Sequence, residues 1–141
     1  MRSLLDVNVL IALFDQQHSF HQRARTWLEG VIDDGWSSCP ITQAGFARVI
    51  SDPRYPANVT TPQAIQMLDA ATSDNHHQFW AADIALVADA IDRQHVLGPG
   101  QIAGAYLLAL AVSHGGRLVT FDQRMDRASV PTASPQHLLI L

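Results

Sequence analysis

Two short stretches hold the residues best suited to chemistry. Near the start, Ser3-Leu4-Leu5-Asp6-Val7-Asn8 places one carboxylate, Asp6, between a short apolar run and a longer one that continues to Phe14. Near the end, Gly116-Arg117-Leu118-Val119-Thr120-Phe121-Asp122 repeats the pattern of apolar strand then acid. Each reads as a strand of an open α/β sheet, and the C-terminal edge of such a sheet is where ligands bind. An ionised Asp facing an apolar interior is costly unless a cation or hydrogen-bond donors meet it. Asp6 and Asp122 read as neighbours, with Asn8 and Thr120 orienting them and Asp126 one helical turn beyond Asp122 as a weaker oxygen donor.

Two carboxylates held close together raise each other's pKa, and a divalent cation between them removes that penalty. Magnesium suits the arrangement, because it takes one or two carboxylates, keeps several waters and leaves positions for phosphate oxygens. Such an ion activates water and stabilises the charge that develops on a phosphodiester under attack. A plainer reading stands beside this one: Asp6 caps the helix after it, and Asp122 forms a turn with Gln123 and Arg124. Arg124 and Arg127 likewise read either as holders of phosphate or as surface partners of Asp122 and Asp126.

The elements that must position these residues follow from periodicity. Residues 2–5 predict a strand and 7–14 a short buried helix. Phe20, Ala24, Trp27, Leu28 and Val31 recur at helical spacing, predicting an amphipathic helix over about 18–32. Trp36 to Cys39 predicts a strand ended by Pro40, with Thr42 capping a helix to about Ile50. Thr61-Pro62 opens another helix, and the helix pair near 42–74 is expected to project as a lobe. His77 to Trp80 predicts a strand, and Asp83 is expected to cap a helix whose buried face is Ile84, Val87, Ala88 and Ile91. Residues 101–114 are apolar nearly all round, so that helix must be covered on most sides. Gly115-Gly116 stops it, 117–121 is the next strand, and His137 to Leu141 the last. Strands alternating with helical stretches predict right-handed crossovers and a parallel sheet.

Composition narrows the classes. With 141 residues, 48% of them hydrophobic, the chain is expected to form one domain with a proper core. Its lone Cys39 offers no disulfide or zinc framework. No leader or apolar run approaching ~18 residues stands out, so membrane insertion is not expected and the cytoplasm is the expected compartment. A net charge of −4 argues against a broad basic surface gripping nucleic acid, so any such contact is local. All nine basic residues are Arg. The histidines His18, His21, His76 and His77 have no Cys or Glu at ligand spacing, which argues against zinc. No Gly-x-Ser-x-Gly elbow or glycine-rich phosphate loop occurs.

Three blocks in this order, Leu4-Leu5-Asp6-Val7-Asn8-Val9-Leu10-Ile11-Ala12-Leu13, Cys39 to Pro53, and Gly115 to Asp122, resemble the PIN-domain nucleases. More narrowly, they resemble VapC-type toxins of toxin–antitoxin pairs. The resemblance implies a three-layer α/β/α, PIN-like fold with a central parallel sheet of about five strands, spanning residues 1–141 as one domain. It also implies a Mg2+- or Mn2+-dependent endoribonuclease, a homodimer and a cognate VapB-like antitoxin that blocks the groove. Carried over by position, the family's first acid is Asp6 and the acid after the fourth strand is Asp122. The second, usually Glu, falls at Gln43, which keeps a carbonyl oxygen. The third, usually Asp, falls at Gly104, which offers no ligand and weakens a helix by about 1 kcal/mol relative to Ala. Arg48, on the helix carrying Gln43, is a candidate for phosphate or antitoxin contact or for a structural ion pair. The losses at 43 and 104 open a second expectation, a PIN-fold protein that binds antitoxin and RNA without cleaving.

Overall fold

In the computed structural model, which describes all 141 residues, the apolar run before each acid forms a strand. The strands β1 (Ser3–Leu5), β2 (Trp36–Ser38), β3 (His77–Phe79), β4 (Arg117–Thr120) and β5 (Leu138–Ile140) are all parallel, in the order β3-β2-β1-β4-β5. The order reverses at β1. The chain builds outward through β2 and β3 on one side, then returns to lay β4 and β5 on the other. Asp6 and Asp122 therefore follow two adjacent strands at the switch point, the place where open α/β sheets bind ligands.

Period-2 alternation sends the two strands' side chains to opposite faces. Leu4 and its partner Leu118 meet one core, and Leu5 and its partner Val119 meet the other. The first core is closed by α5 (Ile102–Ser113) with Trp80, Ile91 and Val130. The second is closed by α1 (Val7–Phe14), α3 (Pro40–Ile50) and α4 (Thr61–Thr72) through Val9, Leu10, Phe46, Ile50, Ala64 and Leu68. Helix α2 (His21–Val31) buries only Ala24 fully. The result is the three-layer arrangement expected. Every residue from Ala105 to Ala111 is buried, as an all-round apolar helix requires. No helix is long and apolar enough to cross a membrane.

Local chemistry fixes where the helices begin. The Asp6 side chain accepts from the Val7 N–H (2.7 Å) and caps α1. Thr60 and Gln63 form a capping box at α4, with Pro62 in its first turn. Helix α3 opens at Pro40, two residues before the expected cap at Thr42, because Pro fits a first helical turn. Thr42 instead reaches back to accept from the Cys39 N–H (3.0 Å). Gly35, at φ 79°, makes the turn into β2, and a side chain there would strike the Arg2 guanidinium.

Three expectations are corrected. Helix α2 begins at His21, later than 18. The pair α3 and α4 does not project freely, since Ala64 and Leu68 of α4 join the core shared with α1. The helix expected over Ile84 to Ile91 is absent, and that stretch runs in turns. Only Ile91 of its four apolar positions is buried, too little packing to hold a short helix. Its start is also unpicked: the Ile84 carbonyl accepts from the Tyr106 hydroxyl (2.8 Å), and Asp83 faces His114 (3.5 Å).

Candidate active site

Thr120 is the pivot between the two acid-bearing segments. Its buried hydroxyl donates to Asp6 Oδ2 (2.7 Å) and accepts from Asn8 Nδ2 (3.0 Å) and the Asp122 N–H (3.1 Å). Asn8 Nδ2 also lies 3.4 Å from Asp6 Oδ2, and Asn8 Oδ1 accepts from the Phe121 N–H (3.0 Å). The Asp6 N–H in turn donates to the Val119 carbonyl (3.0 Å). Asp6 thus caps α1 through Oδ1, as its plainer reading expects, and faces Thr120 and Asn8 through Oδ2.

The two acids are tuned in opposite directions. Burial pushes the Asp6 carboxyl up, the bonds from Thr120 and Val7 pull against it, and the negative Asp122 nearby adds to the rise. Arg124 holds Asp122 below the ordinary carboxylate range through its side-chain hydrogen bonds. Arg124 Nε donates to Asp122 Oδ1 (3.0 Å) and Nη2 to Oδ2 (3.1 Å), while the Arg124 N–H also meets Oδ1 (3.0 Å). Arg127 instead bonds the Ala133 carbonyl (3.1 Å).

Asp126 does not lie on a helix with Asp122. Residues 122–125 form a turn, and Asp126 caps the following one-turn 3-10 helix by accepting from the Ala128 N–H (2.8 Å). It shares a small cleft with Gln101, Arg124 and Met125. Gly104, in the first turn of α5, leaves a space that the Met125 thioether fills, well inside van der Waals reach of where a Cβ would sit.

Gln43 makes no hydrogen bond to either acid. Its Nε2 donates to the buried Ser38 hydroxyl (2.9 Å), which also lies 2.8 Å from His77 Nε2, and His77 Nδ1 lies 3.1 Å from the Thr72 carbonyl. That chain orients the amide, and Gln43 lines a groove between α3 and α4 together with Ala47, Leu68 and Thr72. Burial lowers the His77 pKa, favouring the neutral ring. Arg48 sits further along α3, over a depression lined by Asp52, Arg54 and Tyr55. Ser38, His77 and Met125 were not marked by sequence. Parallel pairing of Trp36 with His77 and Ser38 with Phe79 puts His77 beside Ser38, which a strand pattern alone does not reveal.

No group of three or more His, Cys, Asp or Glu side chains is arranged to hold a metal ion. The donors at the switch point are two carboxylates and neutral oxygens, a hard set. Oxygen donors of this kind suit magnesium or manganese better than zinc.

The parallel sheet, the acids at the ends of its two adjacent strands, and a match of residues 3–131 to the PIN domain define the class: this chain belongs to the PIN-domain family, among its VapC-type toxins. It is 51% identical over 142 residues to Ribonuclease VapC44 of Mycobacterium tuberculosis, with both chains fully covered. It is 44% identical to Ribonuclease VapC39 of the same organism over 132 residues, covering 92% of this chain and 95% of that one. In fold it is similar to a chain in the crystal structure of VapBC2 from Rickettsia felis bound to a DNA fragment from their promoter. The TM-score there is 0.64 at 13% identity, covering 100% of this chain and 98% of that one.

Proposed function

We propose that this chain is the ribonuclease toxin of a VapBC-type pair and hydrolyses RNA phosphodiester bonds with Mg2+ or Mn2+, which the Asp6 and Asp122 carboxylates would hold. The observation that carries the reading is the Thr120 bridge, whose hydroxyl bonds the Asp6 carboxylate and the Asp122 backbone N–H and so ties the two acid-bearing segments together at the switch point. The names of the two mycobacterial relatives support ribonuclease activity. A bound divalent cation would supply a nucleophilic water and neutralise charge on the attacked phosphate. Asp6 and Asp122 would hold it, Thr120 and Asn8 fix the Asp6 rotamer, and Arg124 and the Gln43 amide would contact water or phosphate.

A VapB-like antitoxin, a second copy of the chain and RNA are the proposed partners, meeting in the cytoplasm with the chain acting as one domain. Exposed Leu86, Val87, Leu97 and Ile102 form an apolar patch of the kind that protein partners cover. Arg48, exposed near Arg54, suits phosphate or antitoxin contact. Asp126 remains a weaker candidate ligand, since its carboxylate is already engaged as a cap.

Gly104 favours a second reading, a protein that binds RNA and antitoxin without cleaving, because the third acid is missing and Met125 occupies its place. Purified chain incubated with RNA separates the two. Cleavage that requires Mg2+ or Mn2+ and stops on chelation supports the toxin reading; binding without cleavage at any concentration of either ion supports the second.

A further inference from the structure

The Asp122 carboxylate already has a cation. Arg124 grips both of its oxygens from two residues away, yet the Arg124 side chain is 69% exposed while that of Asp122 is 22% exposed. The guanidinium is therefore free to leave toward solvent, and Gly100 has no side chain to obstruct it, its nearest neighbour being Arg124 Nη1 at 3.9 Å from a Cβ position. A carboxylate has about four acceptor directions. At Asp122 the Arg124 N–H, Nε and Nη2 use three of them. With Gln43 and Gly104 uncharged, Asp6 and Asp122 are the acids of the site, and Arg124 cancels one of their charges.

We propose that Arg124 is a built-in competitor of the divalent cation: it occupies Asp122 in the RNA-free protein, yields that carboxylate when the metal binds, and then grips an RNA phosphate. In this scheme Arg124 acts on the metal through Asp122 and on the substrate directly. The inference rests on the proposed metal-dependent function. Its consequence is that the site binds metal weakly until RNA supplies a phosphate that draws the guanidinium away. Metal and RNA then bind cooperatively through one side chain.

The chain contains its own control. Arg54 grips Asp52 in the same local geometry, with its N–H and Nε on Oδ1 (2.8 and 3.0 Å) and Nη2 on Oδ2 (2.8 Å), but at the far end of α3. An Asp-x-Arg sequence thus makes this fork by itself, and only the pair at Asp122 competes with a metal.

The test is calorimetric titration of MnCl2 into the RNA-free wild-type chain and into Arg124→Ala, Arg54→Ala and Asp6→Asn. Arg124→Ala is expected to bind Mn2+ roughly two- to fivefold tighter, the range that loss of an exposed ion pair converts to. Arg54→Ala is expected to match wild type. At saturating Mn2+, Arg124→Ala is expected to bind a non-cleavable 2′-O-methyl RNA several-fold more weakly, with a salt slope shallower by about one. Equal or weaker Mn2+ binding by Arg124→Ala, with binding still lost in Asp6→Asn, overturns the competition and leaves the metal site standing. Tighter Mn2+ binding with unchanged RNA affinity overturns the phosphate contact. Absence of any Asp6-dependent Mn2+ binding overturns the proposed function together with this inference.

Discussion

Filling the space above Gly104 tests how the missing acid position is packed. Gly104 stands in the first turn of α5, and Met125, half-buried against the same core, covers it. Replacing Gly104 with Ala stabilises the helix by at most about 1 kcal/mol. The new Cβ, however, must displace the thioether, and overpacking typically costs about 1–3 kcal/mol, toward the lower end for a flexible Met. The two effects nearly cancel, so Gly104→Ala alone is expected to change stability little. Met125→Ala alone is expected to cost about 1–2 kcal/mol, less than truncation of a fully buried Met. In the Met125→Ala background the collision is gone, and Gly104→Ala then stabilises by nearly its full helix increment. Urea denaturation of the four proteins should give a coupling of about 1 kcal/mol. Additivity within about 0.3 kcal/mol would refute the claim that Met125 fills the position. For the same reason, Gly104→Asp should increase Mn2+ affinity more in the Met125→Ala background than in the parent chain.

Other substitutions probe the network directly. Asp6→Asn should raise the melting temperature at pH 7. The folded pKa of Asp6 is raised, so its contribution to stability is full below the ordinary value of about 3.9 and is lost as pH rises through the folded pKa. The advantage of the Asn variant should shrink as the pH is lowered toward that value; a destabilised variant at neutral pH would contradict this. Thr120→Val removes a buried hydroxyl that bonds Asp6, Asn8 and the Asp122 backbone, and should cost about 1–3 kcal/mol by chemical denaturation. A neutral result would show that the bridge does not hold the site. Gln43→Glu replaces a donor to Ser38 with an acceptor, so the Ser38 hydroxyl turns to donate to the new carboxylate and His77 must supply a proton to Ser38. The His77 ring should titrate higher by NMR than in the parent, where burial depresses it; an unmoved titration would sever the proposed link between Gln43 and His77.

Much of this was readable from the chain because strand ends and helix caps are local. An apolar run followed by Asp, then Val-Asn, already defines both a cap and a sheet edge, so Asp6, Asn8, Thr120 and Asp122 came together as their spacing predicted. Thr60-Thr61-Pro62 carried its own start signal, and the unbroken apolar run of α5 could only be a covered helix. What escaped was non-local. Nothing in the spacing of Ile84 to Ile91 reveals that Tyr106 takes the Ile84 carbonyl, or that most of those side chains remain unburied. The turn after Asp122 breaks the helical phase that would have carried Asp126 back to the acids. Gln43 is drawn to Ser38 by a sheet register, and Met125 reaches Gly104 through a contact between separate segments, neither of which a periodic pattern encodes.

The most direct measurement is the rate at which Asp6→Asn and the parent chain, purified in parallel, cleave one defined RNA at a fixed Mn2+ concentration. The amide keeps the shape and the helix cap at position 6 while removing the charge that would hold the cation. The parent should cleave, and Asp6→Asn should be folded, more heat-stable at pH 7 and slower by at least about a hundredfold, the loss of roughly 2.7 kcal/mol of transition-state stabilisation. Equal cleavage by both proteins would place the chemistry elsewhere and contradict the assignment of Asp6.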